Sequence, residues 1–74
     1  MNDKLKKVYN KRFKKVYIAL YNQERVKDKT EFGNKLGTYN HIINAIFNGK
    51  RSVTFDQLGQ LIRKYNVNAN YLFS

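Results

Sequence analysis

Residues 28–51 read DKTEFGNKLGTYNHIINAIFNGKR. Asp28 followed three residues later by Glu31 is a helix-start signature. The Asp28 side chain accepts from the Glu31 amide, and the Glu31 carboxylate reaches back to the amide of Asp28. Phe32 and Leu36 then fall one turn apart on a single side. Gly37 suits the left-handed conformation that follows a helix end. Only Thr38 and Tyr39 separate that stop from a second apolar-periodic run, Asn40 to Asn48. This run closes at Gly49 and leads into a basic loop, Lys50-Arg51-Ser52-Val53.

Two short helices joined by a glycine-containing turn of three or four residues form the outline of a helix-turn-helix. Upstream of it, Leu5, Val8, Tyr9, Phe13, Val16, Tyr17 and Leu20 recur at three- and four-residue steps, the period of an amphipathic helix. Asn22 to Lys27 is a polar break. Downstream, Thr54 and Gln57 form a second capping box, and Leu58, Leu61, Ile62 and Tyr65 mark a buried stripe. Asn66 and Asn68 interrupt that helix, and Asn68 caps a short final one carrying Tyr71, Leu72 and Phe73. Gly33 and Gly59 lie inside helices, where each costs about 1 kcal/mol against alanine, and close helix packing is the expected reason for both. The fold class is therefore all-α: a compact bundle of five helices over residues 1–74, with a helix-turn-helix core at about 28–48 and no space for a linker or second domain.

The charge sets the class of partner. Fifteen Lys and Arg against five Asp and Glu leave a net charge of +10, and residues 1–30 hold ten of the bases and three of the acids. A polyanion is the first partner such a balance implies. With no cysteine there is neither a disulfide framework nor a thiolate metal cluster, which fits a cytoplasmic protein. The longest apolar run, Val16 to Tyr21, falls far short of the ~20 residues of a spanning helix. His41 is the only histidine, so no metal site is expected. The acids are caps or scattered, and no nucleophile, base and acid come together, so neither an enzyme nor a cofactor site is expected.

The second helix of the motif has two faces. With Asn40 at zero and a step of about 100° per residue, Asn44, Asn48, His41 and Ala45 fall at about 40, 80, 100 and 140°. The same step places Ile42, Ile46, Ile43 and Phe47 at about 200, 240, 300 and 340°. The polar half carries amides, an imidazole and a methyl, without charge. An uncharged amide pairs bidentately with adenine N6 and N7 in the major groove, while flanking Lys and Arg set register on phosphates. Any amphipathic surface helix also has a polar outer face. What distinguishes this one is the order: capped helix, glycine turn, polar-faced helix, Gly-Lys-Arg exit.

From Lys29 to Ile46 the chain resembles the helix-turn-helix of the phage repressor and Cro class, the XRE family of lambda repressor-like DNA-binding domains. Phe32 and Leu36 match its first core positions, Gly33 its small residue where the helices touch, Gly37 its turn glycine, and Ile43 and Ile46 its core positions on the recognition helix. Asn48-Gly49-Lys50-Arg51 is similar to the loop that follows, and Lys64 to Asn68 with Tyr71-Leu72 to the closing segment. The resemblance implies sequence-specific binding of double-stranded DNA by a transcriptional repressor or regulator of phage or mobile-element type. It also implies a homodimer on a palindromic site. It assigns Asn40, His41, Asn44 and Ala45 to base contacts, and Lys29, Thr38, Lys50 and Arg51 to phosphates. Many relatives carry a further domain, so the chain is either a minimal regulator or part of a longer one.

Three positions depart from the family pattern. Tyr39 stands where the family usually has a capping Ser or Thr, and it offers its hydroxyl to a phosphate instead. The connection from Leu20 to Asp28 is long, with Arg25 and Lys27 available for further backbone contacts. Ala69 stands where many relatives have proline. Two other readings fit parts of the sequence. One is an antitoxin-like protein-interaction module using an exposed Tyr71-Leu72-Phe73 patch. The other is a membrane-surface protein driven by the basic first helix.

Overall fold

A computed structural model describes residues 3–73, and among them there are five helices and no strand. They are α1 (Asp3–Asn22), α2 (Lys29–Lys35), α3 (Asn40–Phe47), α4 (Phe55–Tyr65) and α5 (Ala69–Phe73). The all-α, five-helix reading of the sequence therefore holds.

On α1 the side chains of Phe13, Val16 and Leu20 are buried, whereas Leu5 is half exposed, so the core-facing row starts later than the periodicity suggests. The core is held by rings from four helices. Phe32 of α2 lies 5.4 Å from Phe13 and 5.0 Å from Tyr17 of α1, and 5.9 Å from Tyr65 of α4. Phe47 of α3 closes the group at 6.0 Å from Phe13 and 5.4 Å from Tyr17. Offset and edge geometries at these separations are favourable beyond the area they bury.

The polar break after α1 is more organised than its composition indicates. Glu24 adopts the left-handed conformation, and the Arg25 amide donates to the Leu20 carbonyl at 2.9 Å. Val26 then drops into the core. The Arg25 guanidinium donates to the Tyr65 carbonyl, and Arg12 donates to the Leu72 carbonyl at 3.2 Å. Both arginines thus serve carbonyls at helix C-terminal ends, where a cation is favoured. Arg25, expected to be available for a DNA backbone, has this structural job instead.

The Asp28 cap of α2 forms, with the Glu31 amide donating to Asp28 Oδ1 at 2.9 Å. The reciprocal half differs from expectation: Glu31 Oε1 accepts from the amide of Lys27, at 3.4 Å, rather than from that of Asp28. Asp28 is extended, with φ −161° and ψ −179°. Gly37 has φ +73°, which lets the Thr38 amide reach back to the Gly33 carbonyl at 2.8 Å and the Gly37 amide to that of Asn34 at 3.1 Å. This paired closure turns the chain directly into α3. A Cβ at Gly33 would lie 3.3 Å from the Tyr39 carbonyl carbon and 3.4 Å from Ile43 Cγ1, so α2 and α3 approach each other across this position. Gly59 is different. The nearest atoms a Cβ there would meet belong to the Arg63 guanidinium of the same helix, from 3.3 Å, so close approach of a second helix does not explain it.

Both halves of the Thr54–Gln57 capping box are present, at 3.0 and 2.8 Å. Left-handed Asn66 ends α4, and Asn68 Oδ1 accepts from the Asn70 amide at 2.9 Å to start α5. Burial pushes the Tyr65 hydroxyl above the ordinary phenol range, reinforced by Glu31 and opposed by Arg25. The folded state holds that proton more tightly than the unfolded chain does. The associated stability is complete below the ordinary phenol range and is lost as pH rises from there through the folded value. No helix among the described residues is long and apolar enough to cross a membrane.

Candidate nucleic-acid interface

The two faces of α3 separate as the sequence predicts. Ile43 and Ile46 are fully buried, Ile42 and Phe47 are packed against the core, and Asn40 and His41 are exposed. Asn44 and Ala45 are half-buried on the same outer side. Tyr39 occupies the N-cap with extended backbone and makes no side-chain capping bond. It is 69% exposed, and its ring stacks on that of His41 at 5.7 Å and 8°. The flat pair projects at the start of α3, with the Tyr39 hydroxyl at its edge. Thr38 is half-buried in the turn, where its amide closes α2.

Lys29, at the first position of α2, reaches across to α3. Its Nζ donates to Asn44 Oδ1 at 2.9 Å and lies 5.5 Å from the Phe47 ring centroid. An ammonium has no acceptor, so this contact fixes which way the Asn44 amide points: oxygen toward Lys29, nitrogen away. Asn44 Nδ2 in turn faces Asn40 Oδ1 at 3.5 Å. Asn40 lies at the outer end of the chain, with both amide hydrogens and an oxygen lone pair available to a base edge. The sequence placed Lys29 near phosphate and Asn44 near bases. The fold brings the two side chains into contact.

At the other end of α3 the Ala45 carbonyl accepts from the amides of both Lys50, at 2.9 Å, and Arg51, at 3.2 Å. This folds the basic loop back onto the helix, with both side chains exposed. A residue that sequence reasoning missed holds the loop in place. Asn10 of α1 is 8% exposed, donates from Nδ2 to the Arg51 carbonyl at 2.8 Å and accepts from the Val53 amide at 2.8 Å. A signal was present: Asn10 precedes Phe13 by three residues and Tyr17 by seven, so it lies on the core-facing row of α1.

Cations border the outer face of α3. Lys14 of α1 lies 6.0 Å from the Phe47 ring centroid and Lys29 lies 5.5 Å from it, so both cations approach one aromatic. Among the described residues the one ion pair joins Arg63 and Asp56, at 3.8 Å on the solvent side of α4. Among the same residues no group of three or more His, Asp or Glu could hold a metal ion.

A second feature lies on the side made by α1, α4 and α5. Leu72 is fully buried, so the expected exposed Tyr71-Leu72-Phe73 patch is not continuous. Phe73 instead joins Tyr9 at 6.3 Å and Phe55 at 6.2 Å, and Tyr9 lies 6.0 Å from Phe55. Phe55 is 61% and Phe73 43% exposed, which leaves an aromatic triangle open to solvent. Compared with protein-family models, with curated proteins and with solved structures, the chain finds no match.

Proposed function

We propose that the protein binds double-stranded DNA sequence-specifically, with α3 in the major groove, as a repressor or other regulator of transcription of the phage repressor and Cro type. The observation that carries the reading is the uncharged outer face of α3, flanked by cations on separate elements: Lys29 at one edge, Lys50 and Arg51 at the other. Neutral amides discriminate base edges, while charges fix register on phosphates. Asn40 is the bidentate reader in this arrangement. Asn44 is aligned by Lys29, whose ammonium sits where a phosphate would share it. His41 and Ala45 complete the base-facing surface. Tyr39, Thr38, Lys50 and Arg51 meet the backbone.

Selection from random duplexes at physiological salt tests the reading, and a defined consensus is the expected outcome. On that consensus, Asn40→Ala and Asn44→Ala each cost about 1–3 kcal/mol and flatten preference at the contacted base pair. Lys50→Ala weakens all sequences alike. Lys29→Ala does both, because it removes a phosphate contact and releases Asn44. Equal affinity for every duplex, indifferent to Asn40→Ala and Asn44→Ala, rules out base reading.

The aromatic triangle Tyr9, Phe55 and Phe73 favours a second reading, in which the main partner is another protein. Large exposed aromatics grouped together mark such surfaces. On a palindromic site the same face would pair two copies, with recognition helices about 34 Å apart. The double variant Phe55→Ser/Phe73→Ser is then expected to bind an isolated half-site like the parent and to lose the gain on the full palindrome, sedimenting as one copy per duplex. An unchanged two-copy complex would exclude this face as the pairing surface.

A further inference from the structure

Helix α1 carries cations that neither the capping of helices nor the base-reading face uses. Lys6, Lys7, Lys11 and Lys14 line a groove of about 470 Å³ whose opposite wall is the C-terminal end of α3 with the turn after it, including Phe47 and Gly49. Lys7, Lys11 and Lys14 are exposed and Lys6 half-exposed. Spacings of four and three residues set Lys7, Lys11 and Lys14 along one side of the helix. At 1.5 Å per residue they span about 10 Å of its length.

The groove is continuous with the proposed reading face. Asn44 accepts from Lys29, Lys29 and Lys14 share the Phe47 ring, and Lys14 is the first of the groove lysines. We infer that this groove holds the sugar-phosphate backbone of the bound duplex, with Lys7, Lys11 and Lys14 forming a phosphate track that extends from Lys29 along α1. The inference rests on the DNA-binding reading and adds to it a surface that the helix-turn-helix alone does not contain. Charge complementarity selects the occupant. The wall presents a row of point cations with no acid among its residues, and a DNA strand presents a phosphate about every 3.4 Å of axis. Phe47 on the facing wall adds an apolar surface to the groove, and Lys14 approaches its ring.

The test uses the full chain and the selected consensus duplex, with dissociation constants measured across a salt series. The variant is Lys7→Gln/Lys11→Gln/Lys14→Gln. The control is Lys15→Gln/Lys35→Gln/Lys64→Gln, which removes the same charge from exposed positions outside the groove. Circular dichroism establishes that both fold. Each phosphate contact contributes about 0.9 to the slope of log K against log salt, so the groove variant should lose about 2–3 units of slope. Between about 50 and about 200 mM salt it therefore loses roughly 40-fold less affinity than the parent does. Its consensus is unchanged, and the control loses less than one unit. Equal slopes for groove variant and control overturn the track while leaving base reading intact, and so does a slope unchanged from the parent. A parent chain that selects no consensus overturns the underlying reading and the track with it.

Discussion

Phe32→Ala is expected to destabilise the domain by about 3–5 kcal/mol, the range for truncating a buried aromatic. Seventy-four residues at roughly 0.05–0.15 kcal/mol each support only about 4–11 kcal/mol in total. The variant should lose at least about a quarter of its stability, and its thermal midpoint should fall by about 15–35 °C in far-UV circular dichroism. The reason lies in what meets at this ring. Phe32 is fully buried and contacts Phe13 and Tyr17 of α1 and Tyr65 of α4, so one side chain fixes α2 against both α1 and α4. Alanine leaves a void bounded by aromatic faces from separate elements, which cannot all move inward together. Phe32→Leu, which keeps most of the volume, should cost less than about 1.5 kcal/mol. A midpoint change under about 5 °C for Phe32→Ala would show that the cluster closes over the gap and that Phe32 does not pin α2.

The features readable in advance were those encoded locally. Asp28, Gly37, Thr54 with Gln57, and Asn68 each act on their own neighbours through the backbone, so composition and spacing place the helix ends within a residue or so. The inward positions of α3 follow from its period for the same reason. Besides Asn10, three features escaped because their partners are distant in sequence. Val26 looks like part of a polar linker until the turn at left-handed Glu24 aims it inward. Arg12 and Arg25 look like two more solvated cations until α5 and α4 end within their reach, 60 and 40 residues away. Lys29 is placed beside Asn44 by the tightness of the turn at Gly37, which sets the first position of α2 over the middle of α3. The candidate site was thus legible residue by residue. Its internal wiring was not.

The second large effect concerns Asn10, where fold and proposed function meet. Asn10→Ala removes two hydrogen bonds and leaves two backbone groups without their partners. They are not equivalent. Val53 is 2% exposed, so its amide cannot exchange Asn10 for water, whereas Arg51 lies at the surface and its carbonyl is more readily hydrated. An orphaned buried donor costs roughly 1–3 kcal/mol beyond the modest net value of the bonds themselves. We therefore expect a loss of about 2–4 kcal/mol and a fall in midpoint of about 10–25 °C. Hydrogen exchange at the Val53 amide should accelerate more than at the amides of α4. Asn10→Asp keeps the acceptor for Val53 but faces the Arg51 carbonyl with a second oxygen, so it should not recover the parent stability. A further consequence distinguishes Asn10 from an ordinary core residue. Its two bonds hold the Lys50-Arg51 loop against α1, and it also lines the lysine groove, so it sets the spacing between two sets of proposed phosphate contacts. At a temperature where Asn10→Ala is still fully folded, its affinity for DNA should already be reduced, with Asn40-dependent base preference retained. If affinity instead tracks only the folded fraction, Asn10 supports the fold without positioning the cations.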